Sequence, residues 1–226
     1  MQPSARNSAN YSRMQKLLLV ALISIFGLAT AGAATEQEVV NQSARILRKF
    51  RTIPETAIPE HVLRQAEGLA ILTVVKVGFG LSGRGGQGVV VARTGDGWSD
   101  PSFVGTGGAG WGLQIGAQIT EFVFVLNTRE AVRAFSRDGN VTLGVDLSAA
   151  AGPVGRTVQA GVTPRAAIYT YSRSEGLFAG ASLEGAVMAT QKTANTRYYG
   201  RPVRATEILS GRIRSRRAGT LRAALR

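Results

Sequence analysis

The chain has 226 residues, of which 44% are hydrophobic and 18% are charged, and its formal net charge is +13. This composition excludes collagen-like, coiled-coil and disordered chains, because apolar residues are plentiful and no long charge-rich block is present. The chain has no cysteine, which excludes disulfides, thiolate metal sites and cysteine nucleophiles. All 14 acidic residues lie between residues 35 and 210, so both ends of the chain are basic.

Residues 1–34 have the pattern of a secretory signal peptide. Basic residues precede an apolar run, Leu17–Leu28, and Ala31 and Ala33 occupy the −3 and −1 positions of a small-residue cleavage site. The run is shorter than the ~20 apolar residues that cross a bilayer, which favours cleavage over an uncleaved anchor. Met14 is an alternative start. We expect a mature protein that is periplasmic or secreted, and therefore no nucleic-acid partner.

Residues 36–51 are predicted to form an amphipathic helix, with acids in its first turn and bases near its end. Pro54 ends this helix. Pro59 opens a second, short helix over 60–67, for which Gly68 is the expected C-cap.

The rest of the chain is predicted to be mainly β structure. Apolar runs and alternation predict strands at 69–77, 88–93, 98–104, 113–119, 122–126, 141–147, 166–173 and 177–185. Further helices are predicted at 129–136 and 206–210, and a hairpin turn at 174–176. We expect one α+β domain over 35–211, with a curved, mostly antiparallel, barrel-like sheet and flanking helices. The Arg-rich tail, 212–226, is either solvated or bound to an anionic partner.

Catalytic and cofactor motifs are poorly supported. The segments 78–83 and 105–110 match the glycine-rich dinucleotide fingerprint, but each runs into a strand instead of the helix that would hold a pyrophosphate. His61 is the only histidine, and no nucleophile elbow is present. We expect no cofactor, no metal site and no enzymatic activity; a hydrolase centred near His61 is the least favoured alternative.

Seven segments, in one order, resemble the SYLF domain family. They are Ile46–Phe50 (ILRKF), Gly78–Gly80 (GFG), Trp98–Phe103 (WSDPSF), Ala151–Gly155 (AGPVG), Tyr171–Gly180 (YSRSEGLFAG), Ser182–Gly185 (SLEG) and Tyr198–Gly200 (YYG). The resemblance covers about residues 38–211. It implies a non-enzymatic lipid-binding domain whose N-terminal amphipathic helix contacts the membrane. Eukaryotic members of the family bind phosphoinositides and, in fungi, actin filaments.

The resemblance places lipid binding on the first helix. The residues it implies are Arg45, Ile46, Leu47, Arg48, Lys49 and Phe50. We add the neighbouring Arg51 to this lipid-binding set, and Lys76, Arg84, Arg173 and Arg197 are weaker candidates for a second basic patch. Each Lys or Arg near an anionic surface contributes ~1 kcal/mol. For an exported protein, we expect a bulk anionic phospholipid or lipopolysaccharide as the partner, and not actin.

Two alternatives remain open. The apolar side of the first helix can instead pack on the sheet, and both arrangements hold if the helix docks in solution and swings out on lipid. The chain can also be an envelope structural module that docks a protein partner through its sheet. An exposed apolar patch away from the first helix, without binding to liposomes, would favour that alternative.

Overall fold

The computed structural model describes residues 34–53, 57–137, 139–143, 146–152, 166–176 and 187–226. Its helices are α1 (Glu36–Thr52), α2 (Glu60–Gln65), α3 (Arg129–Ser136), α4 (Lys192–Tyr199), α5 (Ala205–Leu209) and α6 (Gly219–Leu225), with a 3₁₀ turn at Arg216–Ala218. Its strands are β1 (Gly68–Thr94), β2 (Gly97–Trp98), β3 (Ser102–Leu126), β4 (Asn140–Thr142), β5 (Ala149–Ala151), β6 (Ile168–Gly176) and β7 (Val187–Thr190). None of the helices in these segments is long and apolar enough to cross a membrane.

The dominant element is a long antiparallel hairpin of β1 and β3. Its pairing runs from Gly68 and Leu126 to Val90 and Ser102, with an irregularity between Phe79 and Leu81. A straight strand of the 27 residues of β1 would be about 90 Å long. Yet the backbone N–H of Arg93 donates to the carbonyl of Glu67, just before the strand begins, at 2.7 Å. The hairpin therefore curls back on itself until its ends meet.

Glycine permits this close approach of one part of β1 to another. A Cβ added at Gly88 would lie 2.0 Å from the carbonyl oxygen of Ile71, so only a residue without a side chain fits. The strands predicted separately at 69–77 and 88–93 are one continuous strand, and the glycine-rich segment 78–83 lies inside it. The same correction applies to β3, which joins most of the strands predicted between residues 98 and 126.

The remaining strands extend the same sheet. β6 pairs with β3, β5 runs parallel to β6, and β7 pairs with both β3 and β4. The described residues thus form a seven-stranded sheet that is mostly antiparallel and strongly curled, which confirms the predicted α+β class. The hairpin turn predicted at 174–176 is wrong, because β6 continues through Gly176, which pairs with Gln118 of β3.

Other predicted elements in this half of the chain are shortened or lie outside the description. The strand predicted at 141–147 is reduced to β4 and an isolated bridge between Leu143 and Leu147. The partner strand predicted at 177–185 lies outside the described residues.

The core lies inside the curl. Alternate residues of β1 and β3 face inward, among them Phe122 and Phe124, whose rings stack at 5.6 Å. α3 closes this core with Phe135. Its bounds match the predicted helix, which Thr128 caps by accepting a hydrogen bond from the backbone N–H of Ala131. In contrast, α2 ends at Gln65, and Gly68 is the first residue of β1 instead of a helix cap.

The last fifteen residues, which the charge pattern separates as a tail, pack against α1 in the compact unit Glu36–Arg226. The guanidinium of Arg51 donates to the carbonyl of Ala224 at 2.9 Å, and Thr220 donates to the side chain of Asn41 at 2.9 Å. Apolar α6 side chains are buried as well, since Leu221 is 1% exposed. In this structure the C-terminal segment is part of the domain.

Candidate functional site

The apolar side of α1 packs on the sheet. Ile46 and Leu47 are each 1% exposed and Phe50 is 0% exposed. Of the seven residues predicted on α1 for lipid binding, these three are therefore inaccessible while the helix is docked. The sequence left open whether the apolar side of this helix meets a membrane or packs on the sheet, and in this structure it packs on the sheet.

The cations of α1 differ in how free they are. Arg48 is exposed, and its side chain has no hydrogen-bond or ion-pair partner among the described residues. Arg45 is exposed and donates to the side chain of Gln42 at 2.5 Å. Lys49 pairs with Glu121 of β3 at 2.9 Å, and Arg51 is turned towards α6. Arg45 and Arg48 are thus the best placed to meet an external anion.

Glu121 lies at the edge of the part of the sheet that α1 covers. It is 8% exposed and accepts hydrogen bonds from Lys49 and, at 3.4 Å, from Gln42. Residues two apart on a strand share a face. The side of the sheet that carries Glu121 therefore continues through Ile119 beyond the helix.

An exposed apolar patch follows at this point. Val75 is 43% exposed, Val77 42% and Ile119 49%, and Val75 and Ile119 are register partners. Arg173 of β6 is the register partner of Glu121, so it lies on the same face.

We call these side chains together the basic–apolar surface. Its members are Arg45, Arg48, Lys49, Arg173, Val75, Val77 and Ile119.

The apolar members of this surface could not be identified from the sequence. The run 69–77 is nearly continuously apolar, which is typical of a strand buried on both faces. Nothing in the run distinguishes exposed Val75 from Ile71, which is 0% exposed. Their exposure depends on where α1 ends on the sheet, which is a tertiary property.

The four residues of the weaker second patch do not form one surface. Strand alternation places Lys76 on the face opposite Val75 and Arg173. Arg84 lies beyond the irregularity of β1, beside Gly108. Arg197 belongs to α4, where its guanidinium is 2.5 Å from Glu36 of α1. Only Arg173 belongs to the basic–apolar surface.

The ion pair of Arg197 has an electrostatic consequence for Glu36. Burial raises the pKa of Glu36, but the hydrogen bond from its own backbone N–H and the Arg197 guanidinium outweigh burial, and the pKa lies below its usual value. The pair therefore holds the start of α1 to α4 and is engaged within the domain.

The chemistry available at the basic–apolar surface is binding. Exposed cations beside exposed aliphatic side chains can pair with an anionic layer and bury apolar surface against it. In the described part of the chain, no group of three His, Asp or Glu side chains is placed to hold a metal ion. His61 lies exposed on α2. The exposed cations and aliphatic side chains of the basic–apolar surface are typical of a binding domain.

Comparisons with known proteins agree with this class. A family model, Ysc84, described as "Las17-binding protein actin regulator", matches residues 107–226. The chain belongs to this family, which confirms the resemblance to the SYLF domain.

Curated relatives cover much of the chain. SH3 domain-containing YSC84-like protein 1 is 47% identical over 178 residues in Homo sapiens, which is 75% of this chain and 52% of that protein. The Xenopus laevis protein of the same name is 46% identical over 181 residues, or 76% of this chain and 54% of that protein. LAS seventeen-binding protein 3 of Saccharomyces cerevisiae is 48% identical over 165 residues, or 71% of this chain and 36% of that protein. The chain thus spans about half the length of the vertebrate relatives and about a third of the yeast relative.

Proposed function

We propose that this chain is a non-enzymatic domain that binds anionic membrane surfaces peripherally, with α1 docked, through the basic–apolar surface. The observation that carries the proposal is the exposure of Val75, Val77 and Ile119 on the face of the sheet where Gln42 and Lys49 of α1 reach Glu121. Arg45 and Arg48 would pair with headgroups, and the three aliphatic side chains would insert between them. This assigns the apolar contact to the sheet, since the apolar side of α1 is buried.

The two contributions are of similar size. Each cation near an anionic surface contributes about 1 kcal/mol, so Arg45 and Arg48 contribute about 2 kcal/mol. Complete burial of a Val or Ile side chain is worth about 1.5–3 kcal/mol. Each of the three is roughly half exposed, so the patch contributes about 2–4 kcal/mol. The sum supports reversible binding whose electrostatic part weakens with salt.

Vesicle co-sedimentation tests this function. The full chain is sedimented with phosphatidylcholine vesicles and with vesicles that also contain phosphatidylserine, each at low and high salt. We expect binding to the anionic vesicles only, weakened by salt. Arg45→Gln/Arg48→Gln should lower the affinity about 30-fold, the equivalent of about 2 kcal/mol. Equal binding to both vesicle types would overturn the proposal.

Two further variants separate the apolar from the electrostatic part. Ile119→Ser should weaken binding to anionic vesicles even at high salt, because it removes half-exposed apolar surface. Arg133→Gln is the matched control, since Arg133 is exposed on α3 and its guanidinium pairs with Glu130 at 3.6 Å. The control should bind vesicles as tightly as the unmodified chain. If Arg133→Gln lowered the vesicle affinity as much as Arg45→Gln/Arg48→Gln, the basic–apolar surface would be rejected as the contact.

The location and the lipid belong to the same proposal. We propose that residues 1–34 act as a leader that would export the domain from the cytoplasm to a compartment where a bulk anionic phospholipid or lipopolysaccharide would supply the charge and actin is not expected. The second candidate function is protein docking through the same patch, favoured by the name of the yeast relative, LAS seventeen-binding protein 3, which describes binding to a protein. Absence of vesicle binding, together with a protein partner lost on Ile119→Ser, would select it.

A further inference from the structure

A small cavity opens where the end of α1, α2, the two ends of β1 and the end of α6 meet. Its volume is about 90 Å³, and since one water needs about 10–15 Å³ on this scale, it can hold several waters or a compact polyatomic ion. Leucine side chains and Trp98 form apolar parts of its wall.

The rest of the wall is strongly cationic. Of the described residues, four arginines line the cavity, Arg51, Arg64, Arg93 and Arg226, and Glu60 is the one acidic side chain that does so. Glu60 lies 3.9 Å from the guanidinium of Arg51, which offsets one of the four charges. An excess of positive charge therefore faces the cavity. These residues come from four separate segments of the chain, so the fold alone brings them together.

Two of the arginines are held in place by the backbone. Arg93 donates to the carbonyl of Leu63 at 2.9 Å and lies over the ring of Trp98 at 4.1 Å. Arg51 donates to the carbonyl of Ala224 at 2.9 Å. A guanidinium has five N–H donors, so both side chains keep donors for a ligand while their positions are fixed.

The other two arginines, Arg64 and Arg226, are available to bind a ligand. Arg64 and Arg226 are exposed, and neither side chain has a hydrogen-bond or ion-pair partner among the described residues. Both can close on an anion from the rim without giving up an existing contact.

We propose that this cavity is a binding pocket for a phosphate group, either free or carried by a lipid headgroup. Fixed guanidinium groups bind phosphate through paired N–H donors, and a tetrahedral oxyanion presents acceptors to several arginines at once. The pocket shares no residue with the basic–apolar surface, so the inference does not rest on the proposed function.

Titration with inorganic phosphate tests the pocket directly. The full chain is titrated with sodium phosphate, and with sodium chloride at equal ionic strength. Trp98 fluorescence is followed in a Trp111→Phe background, because Trp98 lines the pocket and the chain has two tryptophans. We expect a saturable change with phosphate alone. Arg64→Gln/Arg226→Gln should weaken phosphate binding at least about tenfold without changing the circular dichroism spectrum. Arg133→Gln should bind phosphate like the unmodified chain.

The outcomes are distinct. No saturable response beyond that of chloride, or a double variant that binds phosphate as tightly as the unmodified chain, overturns the pocket. Displacement of phosphate by vesicles containing phosphatidic acid supports the pocket with a headgroup as its ligand, and retention of phosphate supports it with a free ion. Arg45→Gln/Arg48→Gln should leave the phosphate titration unchanged, so failure of the membrane proposal and failure of the pocket can be told apart.

Discussion

Asp100 tests whether the C-terminal segment is a structural part of the domain. Its side chain is 0% exposed and accepts hydrogen bonds from the backbone N–H of Ser215 and from the guanidinium of Arg222. Both partners lie beyond residue 211, so a single buried carboxylate fastens this segment to the turn between β2 and β3. The perturbation is Arg222→Met, which keeps the length of the side chain and removes its charge.

The magnitude follows from the burial of the carboxylate. Arg222→Met leaves Asp100 charged and buried with one donor fewer, and removing one partner of a buried ion pair costs about 3–5 kcal/mol. Arg222 itself is 31% exposed, so its own loss of packing is the smaller part. Adding Asp100→Asn removes the buried charge, and the double variant should therefore be more stable than Arg222→Met alone.

Urea denaturation of Arg222→Met and of the double variant, beside the unmodified chain, measures these free energies of unfolding. Arg216→Met is the matched control, because Arg216 is exposed in the same segment and its side chain has no partner among the described residues; its cost should stay below about 0.5 kcal/mol. Limited trypsin digestion should cut the C-terminal segment of Arg222→Met sooner than that of the control. The reasoning fails if Arg222→Met costs no more than Arg216→Met, or if Asp100→Asn does not restore stability to it.

Two further predictions concern the fold. Gly88→Ala should destabilise the domain by about 3 kcal/mol or more, because its Cβ would overlap the carbonyl of Ile71. The control is Gly85→Ala, which has open space at the Cβ position and should change stability by about 0.5 kcal/mol or less. Equal effects of the two variants in urea denaturation would contradict the curled hairpin. Glu36→Gln should cost stability at neutral pH, and this cost should disappear as the pH falls below the usual glutamate pKa of 4.5 and through the lowered pKa of Glu36. Denaturation across pH measures it, and a difference independent of pH would contradict the role of Arg197.

Local signals account for the parts of the fold that the sequence predicts well. α1 was expected over 36–51 and spans 36–52, and the bounds of α3 agree with the expectation. In both, apolar periodicity and charges or a cap at the ends act within one or two turns. The curl of the hairpin lacks such a signal, because it depends on contacts such as that of Gly88 with Ile71, seventeen positions away. α6 was missed because its short apolar pattern lies within an arginine-rich end.

The candidate site shows the same division. The sequence locates the cations of α1, but an amphipathic helix has the same pattern whether its apolar side meets a membrane or a sheet. Which of the two it meets depends on whether the sheet has an exposed apolar face for the helix to cover. In this protein the sheet has such a face, and the helix covers it as far as Glu121. Ile119, just beyond Glu121, is exposed and is therefore an accessible apolar side chain.

Whether α1 leaves the sheet on lipid can be decided by comparing two free energies. The apolar side chains of α1 would be buried in the bilayer instead of on the sheet, so their burial contributes about equally in both states. Undocking would, however, expose the part of the sheet beneath the helix. There Leu69, Ile71 and Val123 are each at most 1% exposed, and exposing three such side chains costs about 5–9 kcal/mol. While the helix is docked, Arg45 and Arg48 gain about 2 kcal/mol at an anionic surface, and freeing Lys49 and Arg51 from their partners in the domain would add about 2 kcal/mol. Undocking therefore costs more than it returns.

The helix should accordingly stay docked on the membrane. Hydrogen exchange of the amides of α1 should be as slow with anionic vesicles as without them, while exchange around Ile119 slows on binding. Faster exchange in the strands beneath the helix, on vesicles only, would show that α1 swings out, and the membrane contact would then belong to Ile46, Leu47 and Phe50 instead of the sheet.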